Sequence, residues 1–172
     1  MGAILIDDAG VLDLNANRAR RVWQGIETFD PPFGLYDYAG LLAMAERMLA
    51  SREKRFPALI RAGKMSAEEA EAELATFRMI AADWRWICTG EGEAAPLASL
   101  DLRRAALDAS LRTIAEIARD EGTFSDELAA QAECVIAMRW HLEPGRRTHA
   151  LAALTRQIRA ESRINQEAHH AV

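Results

Sequence analysis

The fold is decided by residues 38–88, which read YAGLLAMAERMLASREKRFPALIRAGKMSAEEAEAELATFRMIAADWRWIC. Gly63 is a natural left-handed stop for a first helix. Ser66 and Glu69 then form the capping box that starts a second one, with Ser66 placed to accept from the amide three residues on and Glu69 placed to reach back. The segment predicts two long helices folded back on each other through a short turn.

The second helix of this hairpin carries an apolar seam. Its apolar residues recur at steps of four and three, which is a heptad spacing, and charged residues, Asp83 among them, fall between them on the solvated side. We expect Trp84 to be buried at the centre of the seam and Trp86, about 200° further around the helix, to face away. The seam consists of Ala70, Leu74, Phe77, Ala81, Trp84 and Cys88.

The rest of the chain is also patterned mainly for helices. Residues 4–6 and 11–14 flank a turn and predict a small hairpin or an extended arm. A helix is predicted from Asn15 to about Thr28, with Val22, Trp23 and Ile26 facing inward. The first helix of the hairpin should begin at Asp37 and kink or break near Arg55, before Pro57. Three further helices are predicted, from Ser99 to Gly122, from Ser125 to Trp140 and from about Arg147.

Composition supports the same fold class. Ala contributes 34 residues and Arg 19 against two Lys, a mixture whose intrinsic preference is helical. We predict an all-α bundle of about five to six helices built around the long antiparallel hairpin. A chain of 172 residues suits one domain, with a weak division at the acidic loop 89–96.

The chain shows no signal for export or membrane insertion. Residues 1–8 lack a basic region, and no segment approaches the roughly 20 apolar residues that span a bilayer. Cys88 and Cys134 sit at apolar helix positions and are expected to be buried thiols. We therefore expect a cytoplasmic protein that does not associate with membranes.

The candidate chemical sites are weak. Glu167 and His170 have the spacing of one half of a di-iron site, but no second copy exists. Cys134 and His141 share a helix face, yet lie about 10 Å apart along the axis, too far for direct proton transfer. The sequence therefore predicts no catalytic, cofactor or metal residues, and we expect a protein that is not an enzyme.

Nucleic-acid association is the alternative function. The net charge of −5 argues weakly against it, but the C-terminal region is locally basic. A solvated face explains such arginines about twice as well as a phosphate contact does. The candidate nucleic-acid residues are Arg146, Arg147, Arg156, Arg159 and Arg163.

The function we favour from the sequence is a helical interaction protein. A long hairpin with an apolar seam and no converging polar groups suits a scaffold that binds itself or another helical protein. Trp86 and Ile87, on the outward side of the hairpin, are the candidate contact surface.

The segments REKRFP at 52–57 and AGKMSAEEA at 62–70 resemble the short helical hairpins of small uncharacterised bacterial and prophage proteins. The resemblance covers residues 52–86. It rests on capping and heptad chemistry and implies a hairpin without implying an activity.

Overall fold

The computed structural model describes residues 18–170 and confirms the all-α class. The predicted arm at residues 4–14 lies outside the described part. None of the described helices combines the length and apolar character of a bilayer-spanning segment. The elements are β1 (Arg20–Trp23), β2 (Ile26–Phe29), α1 (Tyr38–Arg61), α2 (Ala67–Thr89), a single 3-10 turn (Leu97–Ser99), α3 (Leu100–Glu121), α4 (Asp126–His141) and α5 (Thr148–His170).

The helix predicted over residues 15–28 is wrong, because the described part of that stretch forms the antiparallel pair β1 and β2. Gln24 and Gly25 have φ of 50° and 87°, the positive values that a two-residue hairpin turn requires. Trp23 is buried, whereas Val22 beside it is exposed. Burial therefore alternates with the period of two that belongs to a strand.

The long hairpin is confirmed, with its predicted caps. Asp37 accepts from the amide of Gly40 at the start of α1, and both bonds of the Ser66 and Glu69 capping box are present at the start of α2. The helix α1 does not break near Arg55 but runs through Pro57. Proline removes one backbone bond there, and the exposed position lets water satisfy the carbonyl it leaves.

One apolar core joins the two halves of the chain. The α1–α2 hairpin packs against the α3–α4 pair, with α1 on α4 and α2 on α3. The core cluster takes residues from both sides of the acidic loop 89–96, so that loop does not separate two cores. Its most deeply buried members include Leu41, Ala45, Phe77, Ile80, Leu107, Leu111 and Ile136.

The buried face of α2 is wider than the predicted seam. Trp84 is 2% exposed, as expected, but Ile80, Asp83 and Ile87 on a neighbouring stripe are buried too. The placement of Asp83 on the solvated side is therefore wrong. The second stripe is buried because α3 and α5 both pack on α2.

Replacing Trp84 with Ala should cost about 3–5 kcal/mol of unfolding free energy, since it removes a large ring from a packed site. Replacing Trp86, which is half-buried, should cost less. Leu97→Ala, at an 82% exposed position, is the control and should change stability by about 0.5 kcal/mol or less. Urea unfolding measures all three, and equal small losses for both tryptophans would contradict the assigned burial.

Candidate functional site

The helix α5 has one face packed on the bundle. Thr148 and Ala152 are buried, and Arg156 and Ala160, at the same spacing of four, are half-buried. This face lies against α2. Every residue from 161 to 170 is exposed. The end of α5 therefore projects about 15 Å beyond its last packed turn at 1.5 Å per residue.

A buried carboxylate anchors the start of α5. Asp83, 2% exposed, accepts from Nη1 of Arg103 at 2.9 Å, Nε2 of His149 at 2.8 Å and the amide of Ala95 at 2.8 Å. Arg103 also donates from Nε to Ser99 Oγ at 2.9 Å. Burial lowers the pKa of the Arg103 guanidinium, and Asp83 opposes that shift. The carboxylate thus joins α2, α3, α5 and the acidic loop.

The pair of Asp83 and His149 has the components of a catalytic dyad, in which a carboxylate orients a histidine base. A nucleophile would have to hydrogen-bond to the ring. In the described chain no Ser, Thr or Cys side chain does so, and the nearest aromatic neighbour is Trp86, 5.4 Å away between ring centroids. We interpret the pair as the link that holds α5 to α2.

The candidate pair of Cys134 and His141 does not assemble either. His141 is buried, and its ring nitrogens are occupied by Thr148 Oγ1 at 2.6 Å and the Leu35 carbonyl at 2.7 Å. Burial lowers the pKa of His141. Burial also raises the pKa of the Cys134 thiol, which disfavours the thiolate. A neutral His141 that donates to Leu35 and accepts from Thr148 satisfies both neighbours.

Arg156 ties the middle of α5 to the end of α2. Its Nη1 donates to the carbonyls of Trp86 and Ile87, both at 2.8 Å, and its guanidinium lies 4.6 Å from the Trp86 ring centroid. The Trp86 carbonyl also accepts from the amide of Gly90 at 2.9 Å, whereas a cation at this helix end interacts favourably with the last carbonyls of α2. Gly90 permits the approach, since a Cβ there would lie 2.9 Å from Arg156 Nε.

This contact corrects the predicted interaction surface. Ile87 is 3% exposed and Trp86 is half-buried beneath Arg156 and His149. The outward side of the hairpin is therefore covered by α5 of the same chain. The sequence did not reveal this because the covering residues lie about 70 positions away.

The five candidate arginines do not form one free surface. Arg156 is occupied by the end of α2, and Arg146 stacks on Trp140 at 3.5 Å with Glu143 at 3.8 Å. Within residues 18–170 the other three are exposed and form no ion pair. These three are Arg147, Arg159 and Arg163.

The outer face of α5 carries apolar side chains that the rest of the described chain leaves about half exposed. Leu151, Leu154 and Ile158 are 49%, 51% and 53% exposed. At 100° per residue they lie roughly opposite the packed face of the helix. We call these three residues the outer stripe. Three apolar residues grouped on one exposed helix face make the outer stripe a candidate contact surface.

Comparisons with protein-family models, curated proteins and solved structures find no match to this chain. The described residues contain no group of three or more His, Cys, Asp or Glu side chains placed to hold a metal ion. The outer stripe is therefore the candidate functional site, on the strength of its own geometry.

Replacing Arg156 with Ala should lower the unfolding free energy by about 1–2 kcal/mol, because two bonds from a charged donor are lost. Arg156→Lys should recover little, since a single ammonium cannot reproduce the stacked planar fork. The matched control is Arg159→Ala, which removes an exposed cation from the same helix. Equal stability of the Arg156 and Arg159 variants in urea unfolding would contradict the assigned contact.

Stability should depend on pH through His141. Because its pKa is lower in the folded chain, the unfolded chain binds the proton more tightly. This contribution is complete above about pH 6.5 and is lost as the pH falls below that value. At about pH 6.5, where a free imidazole is half protonated, the NMR signals of His141 should show a ring that is less than half protonated. A half-protonated His141 at that pH would contradict its burial.

Proposed function

We propose that the chain is a non-catalytic helical interaction protein that associates with a second copy of itself through the outer stripe of α5. The observation that supports this proposal is the pair of opposite faces on α5. One face, which includes Thr148, Ala152 and Arg156, packs on the bundle of the same chain. The other face presents half-exposed Leu and Ile side chains to solvent.

The spacing of the outer stripe suits a helix as its partner. Leu151, Leu154 and Ile158 occupy successive a, d and a positions of a heptad. The next d position is Glu161 and the next a position is Asn165, so the apolar seam is limited to the three residues of the outer stripe. Two-fold symmetry then places the same stripe on both partners, the commonest arrangement of homo-oligomers.

The size of the stripe limits the strength of association. Fully burying a Leu or Ile stabilises by about 1.5–3 kcal/mol, and roughly half of each side chain is left to bury. Six side chains in a dimer then contribute about 5–9 kcal/mol. Association costs at least about 4 kcal/mol in lost freedom of motion. We therefore expect a weak, concentration-dependent dimer.

Sedimentation velocity from about 10 to about 500 µM tests this, a range that brackets weak dissociation constants. The average mass should rise with concentration above the 19.0 kDa of one chain. The double variant L154E/I158E should stay monomeric, because charge on the stripe opposes its burial.

The control for this experiment is Leu97→Glu, which adds charge at an exposed apolar residue outside α5 and should still associate. A wild-type chain that remains monomeric throughout contradicts the proposal. If Leu97→Glu abolished association and L154E/I158E did not, the contact would lie at Leu97 and not on the outer stripe.

The alternative, nucleic-acid association, rests on Arg147, Arg159 and Arg163. Three phosphate contacts would give weak binding that falls steeply with salt. The test is a variant in which all three arginines are replaced by uncharged residues. If this variant binds duplex DNA or RNA at low salt as well as the wild-type chain does, the alternative is wrong.

A further inference from the structure

A second surface, remote in sequence from α5, has the features of a ligand site. A cleft of about 630 Å³ opens among α1, α2, α3 and α4. That volume lies within the range of pockets that hold small organic molecules. Part of the lining is apolar, from Met44, Met48, Phe77, Ile114, Ile117 and Val135.

The cleft is also cationic. Three arginines of α1 line it, Arg47, Arg52 and Arg55, and Glu73 is the single acidic residue among the lining residues. Three positive charges and one negative leave a net charge of +2. In a chain whose net charge is −5, this is a marked local reversal. It favours an anion at this place.

Arg52 is held rigidly at the cleft. Its Nε donates to Glu73 Oε1 at 2.8 Å and its Nη2 to Ser110 Oγ at 3.1 Å. The guanidinium also lies 3.5 Å from the Phe77 ring centroid. These contacts fix its position, and Glu73 balances its charge.

Arg47 and Arg55 are differently placed. Both are exposed, and within residues 18–170 neither forms an ion pair with a carboxylate. Arg47 makes one long contact, from Nη2 to Met44 Sδ at 3.9 Å. Their donors are therefore free at the cleft, next to an apolar wall.

We propose that this cleft binds a small organic anion with an apolar body, whose head group pairs with Arg47 or with Arg55, which lie about 12 Å apart along the axis of α1. A guanidinium recognises carboxylate and phosphate through paired parallel hydrogen bonds. The apolar part of the ligand packs on Ile117, which is 40% exposed, and on the small exposed parts of Met48 and Ile114. An inorganic ion would leave the apolar side chains in contact with water, and a neutral hydrocarbon would leave the two guanidinium groups without an anionic partner.

Isothermal titration calorimetry tests the proposal with decanoate and decyl phosphate below their micelle concentrations. At least one of them should bind with 1:1 stoichiometry, and the tighter of the two identifies the head group. Decanol, which lacks the charge, and inorganic phosphate, which lacks the chain, should each bind at least about tenfold more weakly. Equal binding of decanol or of phosphate overturns the proposal.

Variants locate the site. The double variant R47A/R55A should weaken binding at least about tenfold, and Ile117→Ser should weaken it through the wall. The matched control K54A/R61A removes the same charge from exposed residues of the same helix outside the cleft and should bind as the wild-type chain does. No binding of either anion, or equal losses in both double variants, overturns the proposal.

This site and the outer stripe are tested independently. R47A/R55A should leave the concentration-dependent mass unchanged, and L154E/I158E should leave decanoate binding unchanged. If R47A/R55A abolished both, misfolding would explain the loss, and circular dichroism of that variant checks this directly.

Discussion

The buried carboxylate of Asp83 is the constraint on which the arrangement of the helices depends. A charge at 2% exposure is tolerable only when it is paired and fully hydrogen-bonded. Asp83 meets that condition through Arg103, His149 and the amide of Ala95, three groups from three different segments. Removing Arg103 would leave a buried charge uncompensated, and removing either other partner would leave part of the carboxylate without a hydrogen bond. These contacts bind α3, the acidic loop and α5 to one position on α2.

Fixing the start of α5 in this way determines what its two faces do. With His149 and Arg156 both directed at α2, the helix cannot rotate to bury Leu151, Leu154 and Ile158 against its own bundle. Polar contacts have therefore set the orientation, and the apolar side chains of the outer stripe stay in solvent. The exposed stripe is a consequence of the anchor.

Local chemistry was readable from the sequence, and long-range pairing was not. The capping box of Ser66 and Glu69 and the left-handed Gly63 after α1, with φ of 67°, depend on neighbours within four residues, and these were predicted correctly. The strand pair was missed because the turn at Gln24 and Gly25 was not recognised, and three apolar residues then fitted a helix by chance.

The burial of Asp83 was missed for a different reason. Its side-chain partners, Arg103 and His149, lie 20 and 66 positions away, and no local pattern marks them. The predicted surface at Trp86 and Ile87 failed in the same way, because the residue that covers it, Arg156, belongs to another helix. The seam itself was predictable because heptad spacing is a local property, whereas the identity of the helix that packs on each side of α2 is not.

The excess of arginine over lysine acquires a physical meaning from these contacts. A guanidinium offers five donors in a plane and stacks on aromatic rings, so it suits sites that are partly buried. Arg52, Arg103 and Arg156 each use that geometry, at Phe77, Asp83 and the end of α2 respectively. Lysine, a strongly hydrated point charge, would fit none of them. An arginine whose donors are occupied in this way is structural, in contrast to the exposed Arg47 and Arg55, which form no ion pair within residues 18–170.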